Sequence, residues 1–514
     1  MEAFLHPLQG LAEFGEIKKR CGANCGILNV SGCMESQKVH LMYGLSGLFP
    51  YRLILADDER NAKEIYEDYR FYDKNVYFYP AKDLLFFQAD IHGNLLIRQR
   101  MRVIRALLEQ EEVTVVTSID GCMDFLMPLE KIKSSLLHFK SDSVIDLDQL
   151  KADLVDLGYE RVGQVELPGQ FSVRGGIIDI YPLTEENPWR IELWDDEIDS
   201  IRSFDAESQR SLENIDEITI YPATEKMDCE DMVSFLDYFP EEKTLLFLDE
   251  LNHLAENGEG VEEEYRQSRM HREEKGEANL PEQWLCGFQE VQKKLNRRNC
   301  VAVSALSPRR SGWKINEEFD LTVKSVDSYN SSFELLVKDL LQYKSQGYRI
   351  ALLSGSRTRA ERLAKDLSEE GLNAFYRQDT DRIISPGEIM VVYGHARRGF
   401  QYPLIKFAVM TETDIFGKEQ KKRKKKKKYS GNRIQDFAEL SIGDLVVHEK
   451  HGLGIYRGIE KVEVDRVVKD YIKIEYRGGS NLYILATQLD ALQKYSGSSE
   501  NAKTPKLNNL GGQE

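Results

Sequence analysis

The sequence lacks the features that would place it in a membrane or in a disulfide-linked scaffold. It is 514 residues long, and no apolar run in it reaches the roughly 18 residues that a membrane-spanning helix requires. Its first residues, MEAFLHPLQGLAEFGEIKKRCG, lack a basic start followed by an apolar core, so we expect no secretory signal and a cytoplasmic location. Seven cysteines, an odd number spread over a long chain, indicate reduced thiols rather than a disulfide framework.

Metal-binding spacing is also lacking. Cys21, Cys25 and Cys33 have no paired close spacing and no fourth ligand nearby, which favours ordinary thiols over a zinc site. His448 and His451 stand together in an expected turn, where we interpret them as structural. No Ser/His/Asp or Cys/His catalytic arrangement emerges. We therefore predict no metal site and no catalytic residue.

Negative charge dominates the chain except in one segment. The net charge is −17, and KEQKKRKKKKK at 418–428 holds nine basic residues and one Glu, so the remainder sums to −17 − 8 = −25. An acidic body is a poor sequence-independent binder of nucleic acid, and we therefore expect protein partners. The basic segment and the residues after it to 437 are interpreted as a solvated linker. Phosphate contact in a larger complex and a nuclear signal are the alternatives.

Alternating strand and helix patterns open the chain. RLILA, NVYFYP and VTVVTS predict buried strands, and DDERNAKEIYEDYRFY and LLIRQRMRVIRALLEQ predict amphipathic helices. Such alternation is typical of an α/β domain with a parallel sheet. The pattern returns at 223–315, around the strand in KTLLFLDELNHL, and again at 330–417, around YRIALLSG and GEIMVVYG.

Between 125 and 222 the pattern changes to paired strands, as in FSVRGGIIDIYP and WRIELWDDEIDSIRSFD. In the second stretch Trp189, Ile191 and Leu193 alternate onto one apolar strand face. Arg190 and Trp194 therefore share the opposite face. An exposed Trp beside an Arg is typical of a protein interface, whereas a Trp that merely caps the core is the alternative.

Short strands separated by Gly-rich or charged turns fill 438–497, among them DLVVHE, GIYRGIEKVEV and DYIKIEYR. They predict a small closed or nearly closed β-barrel. From 441 to 497 the sequence has eight basic and eight acidic residues. A neutral barrel is not typical of a nucleic-acid-binding module.

The stretch HLMYGLSGLFPYRLILADDE has the position but not the chemistry of a nucleotide site. We place a former phosphate loop at Gly44 and Gly47, between a short apolar run and the strand LILA. A working loop needs G-x-x-x-x-G-K-[ST] and a helix that starts there. No Lys occurs between Lys38 and Lys63, and only five residues separate Gly47 from LILA. The sequence therefore indicates a degenerate nucleotide site.

Asp249 and Glu250 end the buried strand LLFLDE. In an ATP-driven motor, acids at such a strand end bind Mg²⁺ and activate water. Without a phosphate loop they have nothing to act on, so solvated or capping strand-end acids are the favoured interpretation. We group these two residues with Gly44 and Gly47 as the degenerate nucleotide site.

FSVRGGIIDIYP followed by RIELWDDEIDSIRSFD resembles the domain shared by the excision-repair helicase UvrB and the Mfd family of bacterial transcription–repair coupling factors. The degenerate phosphate loop resembles Mfd rather than UvrB, and YFYPAKDLLFFQADIHG offers no counterpart of the Tyr-rich UvrB hairpin. IGDLVVHEKHGLGIYRGIE, KDYIKIEYRGGSNLYI and PKLNNLGG are similar to the RNA-polymerase-interacting domain of Mfd, which is related to CarD-type factors.

The resemblance implies a multidomain α/β protein. A degenerate RecA/UvrB-like parallel-sheet domain carries an inserted α+β UvrA-binding domain, and a small α/β domain and a Tudor/SH3-like barrel follow. The implied boundaries are 1–124 (domain 1a), 125–222 (domain 2, UvrA-binding), 223–315 (domain 1b), 330–417 (middle domain), 418–437 (basic linker), 438–497 (polymerase-interacting domain) and 498–514 (tail). An ATP-driven motor is expected to follow LGGQE, where this sequence stops.

The family function implied is a bridge: the barrel binds the β subunit of RNA polymerase stalled at a DNA lesion, and the inserted domain recruits UvrA for nucleotide excision repair. The positions matching the UvrA-binding surface are Arg174, Arg190 and Trp194, although the family usually has Phe in place of Trp194. The positions matching the polymerase-binding strand are Lys461, Val462 and Glu463.

In the family, ATP and Mg²⁺ serve the motor, which also makes most of the DNA contacts. We expect this chain to be a bacterial cytoplasmic monomer without an enzymatic activity or cofactor of its own. Two alternatives remain: a UvrB-like damage-binding ATPase, and a standalone CarD-type transcription regulator.

Overall fold

The computed structural model describes residues 1–21, 25–82, 94–141, 143–225, 231–274, 285–308, 312–417, 431–433, 440–448, 452–464, 467–476, 481–485 and 492–495. The lysine-rich run at 418–428, His451 and the tail at 498–514 lie outside these residues, and the predictions about them stay predictions. Within the described residues, no helix is both long and apolar enough to cross a membrane.

The first part of the chain alternates helices and strands, as its sequence predicts. Its elements are α1 (Glu2–Leu8), α2 (Ala12–Cys21), β1 (Ile27–Ser31), α3 (Glu35–Ser46), β2 (Tyr51–Ala56), α4 (Glu59–Tyr72), β3 (Val76–Tyr79), α5 (Asn94–Glu109), β4 (Val113–Ser118) and α6 (Ile119–Cys122). Local chemistry sets the boundaries: Asp58 caps α4 by accepting a hydrogen bond from the backbone N–H of Asn61 at 2.6 Å.

The next part, which we call the inserted unit (123–225), is built mainly from antiparallel strands. Its elements are β5 (Phe125–Leu126), α7 (Leu129–Ser135), β6 (Leu137–Lys140), α8 (Leu147–Asp156), β7 (Glu160–Arg161), β8 (Gln170–Arg174), β9 (Ile177–Ile180), β10 (Trp189–Trp194), β11 (Glu197–Phe204), β12 (Ser211–Asn214) and β13 (Glu217–Ile220). Six of the strands form one sheet in the order β12-β11-β10-β9-β8-β7.

The chain then returns to the first sheet. The elements are β14 (Val233–Ser234), β15 (Thr244–Asp249), α9 (Leu251–Glu274), α10 (Phe288–Leu295), β16 (Cys300–Val303) and β17 (Ile315–Asp320). The first sheet has the order β17-β1-β16-β15-β2-β4-β3, and all of its strand pairs are parallel. The predicted parallel sheet is therefore confirmed. We call 1–122 and 231–320 together the first unit.

The middle unit (324–416) is a second α/β sheet. Its elements are β18 (Lys324–Ser325), α11 (Phe333–Ser345), β19 (Arg349–Ser354), α12 (Arg357–Glu369), β20 (Asn373–Arg377), β21 (Glu388–Tyr393), β22 (Phe400–Tyr402), β23 (Phe407–Thr411) and α13 (Glu412–Phe416). The strand order is β18-β22-β23-β19-β21-β20, with β19, β20, β21 and β23 parallel.

The last unit (431–495) is an antiparallel sheet with the strand order β24-β29-β25-β26-β27-β28. Its strands are β24 (Gly431–Arg433), β25 (Leu445–His448), β26 (Gly452–Val464), β27 (Val467–Glu475), β28 (Asn481–Leu485) and β29 (Leu492–Tyr495). Strand β24 lies inside the stretch that we expected to be a linker, and it pairs with β29.

The two faces of the first sheet bury different neighbours. Alternate strand residues such as Leu53 and Leu246 share a core with the inserted unit, including Ile191. The intervening residues, such as Ile54, share a core with the middle unit, including Phe407. Because side chains alternate across a strand, each of these strands is apolar on both faces, which explains its continuous hydrophobic run.

The interpretation of the stretch around Gly44 and Gly47 as a loop after a strand is wrong. Gly44 lies inside α3, where its Cα faces Leu8 and Phe14, and Gly47 is the C-cap of that helix. The crossover helix that seemed to be missing after Gly47 is therefore α3 itself, which precedes Gly47. The loop at the carboxyl end of β1 is the short segment 32–34.

Candidate functional sites

Two tight turns lie side by side at one end of the inserted sheet. Gly175 and Gly176 connect β8 to β9, and Asp195 and Asp196 connect β10 to β11. Gly175 and Asp195 have φ angles of 62° and 61°, the left-handed conformation that two-residue hairpin turns require. The N–H of Leu193 donates to the carbonyl of Gly176 at 2.8 Å, so the two hairpins are joined at this end.

The predicted alternation along β10 is confirmed. Trp189 and Ile191 are buried and Leu193 packs against the same core, whereas Arg190 and Trp194 lie on the other face. Trp194 is 81% exposed. Burial in the core, the alternative considered for this side chain, is therefore wrong.

Arg174 and Arg190 converge on Asp179, a carboxylate that is fully buried on the polar face of the sheet. Arg190 Nε and Nη2 lie 2.6 and 2.9 Å from the two oxygens of Asp179, and Arg174 Nη2 lies 2.7 Å from one of them. Arg190 also donates to Gln209 at 3.1 Å and stacks over Phe204, 4.4 Å from the ring centroid. The hydrogen bonds that Arg190 donates to Asp179 raise the pKa of Arg190 further, which keeps it charged.

The three sequence-predicted residues of this surface therefore differ in accessibility. The Arg174 side chain is 47% exposed and that of Arg190 only 14%. Trp194 and Arg174 can meet a partner directly. Arg190 is mostly used within the sheet, which the sequence did not predict because Asp179 was not considered.

The position of a phosphate loop in the first sheet is the segment between β1 and α3. Gly32, Gln37, Lys38 and Val39 stand at the spacing of G-x-x-x-x-G-K-[ST], with Gln in place of the second Gly and Val in place of the hydroxyl residue. The statement that the lysine is missing is therefore wrong. A search for the pattern with two mismatches, directly after the strand ILNVS, would have found it.

The backbone N–H groups of the segment 32–34 already donate hydrogen bonds within the protein. The N–H of Gly32 donates to the carbonyl of Ala305 at 3.3 Å, and that of Cys33 donates to Ser304 at 3.1 Å. The N–H of Met34 donates to the side chain of Gln37 at 3.0 Å. In a working loop such N–H groups bind phosphate oxygens, and here carbonyl and amide oxygens occupy them.

The ammonium group of Lys38 forms ion pairs with the two acids at the end of β15. Its Nζ lies 2.6 Å from Asp249 Oδ1 and 2.6 Å from Glu250 Oε1. Burial lowers the pKa of Lys38, but the two carboxylates outweigh it and raise that pKa overall. Asn61 donates to the second oxygen of Asp249 at 2.7 Å, and the N–H of Ala305 donates to Glu250 at 2.8 Å. The cluster is thus internally paired.

Of the four residues predicted for the degenerate nucleotide site, the structure brings together only two. Asp249 and Glu250 lie at the carboxyl edge of the sheet with Lys38. Gly44 lies six residues after Lys38 along α3, which is about 9 Å at 1.5 Å per residue, and Gly47 ends that helix. The two glycines therefore lie farther along α3, beyond the residue that contacts the acids.

Helix α3 is also held by the middle unit. Gln37 donates to the hydroxyl of Tyr402 at 3.0 Å, and Tyr402 in turn lies 3.1 Å from His40 Nδ1. His40 Nε2 lies 3.0 Å from the carbonyl of Phe4. Burial lowers the pKa of His40 to about 4, so the ring is neutral at pH 7. It then donates to Phe4 and accepts from Tyr402.

Two further contacts join the first unit to the middle unit, one through Ser36 of α3 and one through Asp68 of α4. Ser36 donates to Asp68 at 2.7 Å and accepts from the N–H of Arg398 at 3.2 Å. Arg397 donates to Asp68 through its N–H at 3.0 Å and through Nε at 3.2 Å. Helices α3 and α4 thus form a joint between the first and middle units.

In the last unit, Lys461, Val462 and Glu463 lie in β26. Their backbones pair with Asp470, Lys469 and Val468 of β27. Among the described residues, β25 pairs with β26 only at 452–455, and the segment 459–464 pairs with β27 on one side and with no described strand on the other. The structure describes a six-stranded sheet here and gives no pairing between its first and last strands.

The cysteines that the structure describes are free thiols, and most are buried. Among the described residues there is no group of three or more His, Cys, Asp or Glu side chains that could hold a metal ion.

Comparison with known proteins matches two regions of the chain to family models. The model described as "UvrB interaction domain" matches residues 137–225, and the one described as "CarD-like/TRCF RID domain" matches residues 440–496. The first covers the six-stranded sheet with Arg174 and Trp194, and the second covers the last unit without β24.

Curated relatives match nearly the whole chain. The "Transcription-repair-coupling factor" of Bacillus subtilis (strain 168) is 30% identical over 94% of this chain and 47% of its own length. Proteins of the same name in Staphylococcus aureus strains MRSA252 and USA300 are 29% and 28% identical over 86% of this chain and 42% of their own length. The chain thus spans about half the length of the curated relatives that it matches.

Proposed function

Because the chain resembles the Mfd-type transcription-repair-coupling factors along nearly its whole length, we propose that it couples transcription to DNA repair by holding two protein partners. The last unit binds RNA polymerase stalled at a DNA lesion, and the inserted unit recruits UvrA for nucleotide excision repair. The observation that carries this proposal is that one chain matches both family models, with an exposed Trp and Arg on the first.

On the UvrA side, the binding surface is the polar face of the inserted sheet near its joined turns. Trp194 supplies an exposed aromatic anchor, and Arg174 supplies free guanidinium donors beside it. Trp and Arg are the residues most often found to dominate protein interfaces. Arg190 belongs to the same surface but contributes mainly by supporting it through Asp179.

On the polymerase side, the contact is the edge of β26 that pairs with no described strand, at Lys461, Val462 and Glu463. An open edge can add to a sheet of the partner through backbone hydrogen bonds, and we assign that partner sheet to the polymerase β subunit. Substitution of Val462 by Arg should abolish polymerase binding while the last unit stays folded. Loss of folding in this variant would instead make Val462 a core residue.

The Lys38 cluster is proposed to be a former nucleotide site that no longer holds Mg-ATP. Its lysine is bound to Asp249 and Glu250, its loop N–H groups donate to carbonyls, and Val39 replaces the hydroxyl that would bind Mg²⁺. We therefore assign no enzymatic step to this cluster. ATP and Mg²⁺ would serve the translocase activity that the family resemblance implies, which is also where we expect most DNA contacts.

The remaining assignments complete the proposal. The first unit corresponds to a degenerate RecA/UvrB-like domain, interrupted by the UvrA-binding domain, and the last unit to a Tudor/SH3-like barrel. The chain acts as a monomer in the bacterial cytoplasm.

Two rival functions make different predictions. A UvrB-like damage-binding ATPase would bind a labelled ATP analogue, and the presence of Lys38 is the observation in its favour. A CarD-type regulator would bind polymerase but not UvrA. The proposal is tested by calorimetry of the chain with purified UvrA and with purified RNA polymerase. It requires binding to both proteins and none to the nucleotide.

A further inference from the structure

Two arginines donate hydrogen bonds to the buried carboxylate of Asp179. Arg190 donates two of these bonds and Arg174 donates one. Arg190 lies directly opposite Asp179 in the β9–β10 pairing, and two of its nitrogens donate to it. Among the residues that the structure describes, Asp179 is the acceptor found for Arg174, through one nitrogen. Arg190 therefore completes the neutralisation of Asp179, while Arg174 keeps most of its donors available.

The position of Arg174 relative to Trp194 follows from the strand pairing. Arg174 pairs with Ile177, and Ile177 pairs with Glu192, two residues before Trp194. Two strand spacings and two residues along the strand place the Cα atoms of Arg174 and Trp194 about 12 Å apart on the same face. Without a tether, the guanidinium of Arg174 can take up positions several ångströms apart relative to Trp194.

We propose that Asp179 is a positioning residue for partner binding: it holds the guanidinium of Arg174 at a fixed place on the sheet face that also carries Trp194, and Arg190 holds Asp179 in line. This inference rests on the proposed function of the surface. The tether orders the long Arg174 side chain before the partner binds, so its loss should weaken binding by about 2- to 12-fold.

The same geometry defines the chemistry of the partner surface. The planar guanidinium of Arg174, tethered at one nitrogen, presents its remaining N–H groups to solvent, which fit a carboxylate in a bidentate pair. Trp194 presents an apolar ring nearby. The complementary surface is therefore an Asp or Glu next to an apolar pocket, and Arg174→Lys should not replace the arginine, because an ammonium lacks the fork of donors.

The test is a double-mutant cycle on the whole chain of residues 1–514, with the dissociation constant for UvrA measured by calorimetry. Its variants are Asp179→Asn, Arg174→Ala and the two combined. The expected loss is about tenfold or more for Arg174→Ala and about 2- to 12-fold for Asp179→Asn, and the combined variant should be within about twofold of Arg174→Ala. The matched control is Asp148→Asn, an exposed acid of the same unit that pairs with Lys151 at 2.9 Å, which should bind like the parent.

Asp179→Asn leaves Arg190 without its carboxylate partner, which by itself can impair folding. A second variant separates that effect from the loss of the tether on Arg174. Asp179→Asn combined with Arg190→Gln removes both charges and leaves two amides that can hydrogen-bond. It should fold, as judged by its thermal transition, and still show the loss of affinity that follows from an untethered Arg174.

The outcomes separate the inference from the function on which it rests. Unchanged affinity in Arg174→Ala would remove the UvrA surface itself. A loss in Arg174→Ala with parent-like affinity in the doubly neutralised variant would overturn only the role of Asp179. Additive losses in the cycle would also overturn it, since they would mean that Asp179 acts through the fold and not through Arg174.

Discussion

The ammonium nitrogen of Lys38 lies between two carboxylates, 2.6 Å from Asp249 and 2.6 Å from Glu250. In a nucleotide-binding domain the equivalent lysine reaches phosphate oxygens, and the acid at the end of the neighbouring strand binds Mg²⁺. Here the positive charge of Lys38 is balanced by the two carboxylates of the same chain. The charges of Lys38, Asp249 and Glu250 are thus paired within the protein itself.

Lys38→Met should destabilise the first unit by about 3–5 kcal/mol, because it leaves two carboxylates unpaired at a largely buried place. Urea unfolding followed by circular dichroism measures this change. The control is Lys63→Met, whose exposed lysine pairs with Glu59 one helical turn away and should change stability by no more than about 0.5 kcal/mol. Equal effects of the two substitutions would contradict the internal pairing.

Gly32→Ala should destabilise the first unit by about 2 kcal/mol or more. Gly32 has φ +78°, and an added Cβ would lie 2.2 Å from the carbonyl oxygen of Leu321, so the backbone must shift. Gly47→Ala is the matched control, because its φ is −68° and no atom stands within 4 Å of the added carbon. It should be neutral or stabilising by up to about 1 kcal/mol. A Gly47→Ala variant as unstable as Gly32→Ala would contradict the open space seen around Gly47.

Trp194→Ala should weaken UvrA binding by about 2 kcal/mol, roughly 30-fold, with no change in the thermal transition because the side chain is exposed. Leu212→Ala is the control, since Leu212 is also an exposed apolar residue of the inserted sheet but lies on β12, away from the joined turns. Calorimetry of both variants measures the difference. Parent-like affinity for Trp194→Ala would exclude this side chain as an anchor.

His40 should make the joint between the first and middle units sensitive to acid. Its pKa is lowered from 6.5 to about 4 by burial, so between these values the unfolded chain binds more protons than the folded one. Stability is therefore full above pH 6.5 and falls as the pH drops toward 4. By pH 5 the loss from this group is about 2 kcal/mol.

Comparison with His40→Gln isolates this contribution from that of the carboxyl groups. The difference in unfolding free energy between parent and variant should shift by about 2 kcal/mol against the parent between pH 7.5 and pH 5. A difference that stays constant over this range would show that His40 titrates normally.

Much of the fold could be predicted because the relevant signals are local. The apolar runs of β2, β4 and β15 and the Asp cap of α4 set those elements without reference to distant residues. The alternation of Trp189, Ile191 and Leu193 likewise fixed which face of β10 is buried. The exposure of Trp194 followed from that period of two, whereas the burial of Arg190 against Asp179 did not.

The errors came from contacts between residues far apart in the chain. HLMYGL is apolar enough for a strand, but it forms α3 because both faces of that helix are covered, by the sheet and by the middle unit. The pairing of Lys38 with Asp249 spans 211 residues, so the lysine looked irrelevant to the acids. The role of Asp179 could not be predicted, because a single Asp in a strand has no pattern of its own.

The central claim is that one chain holds polymerase and UvrA at the same time. The most direct measurement is mass photometry of the chain mixed with RNA polymerase and UvrA. The account predicts a complex with the summed mass of all three. Trp194→Ala should lose only UvrA, and Val462→Arg only polymerase. Two separate binary complexes with no ternary species, or no complex with one of the partners, would contradict it.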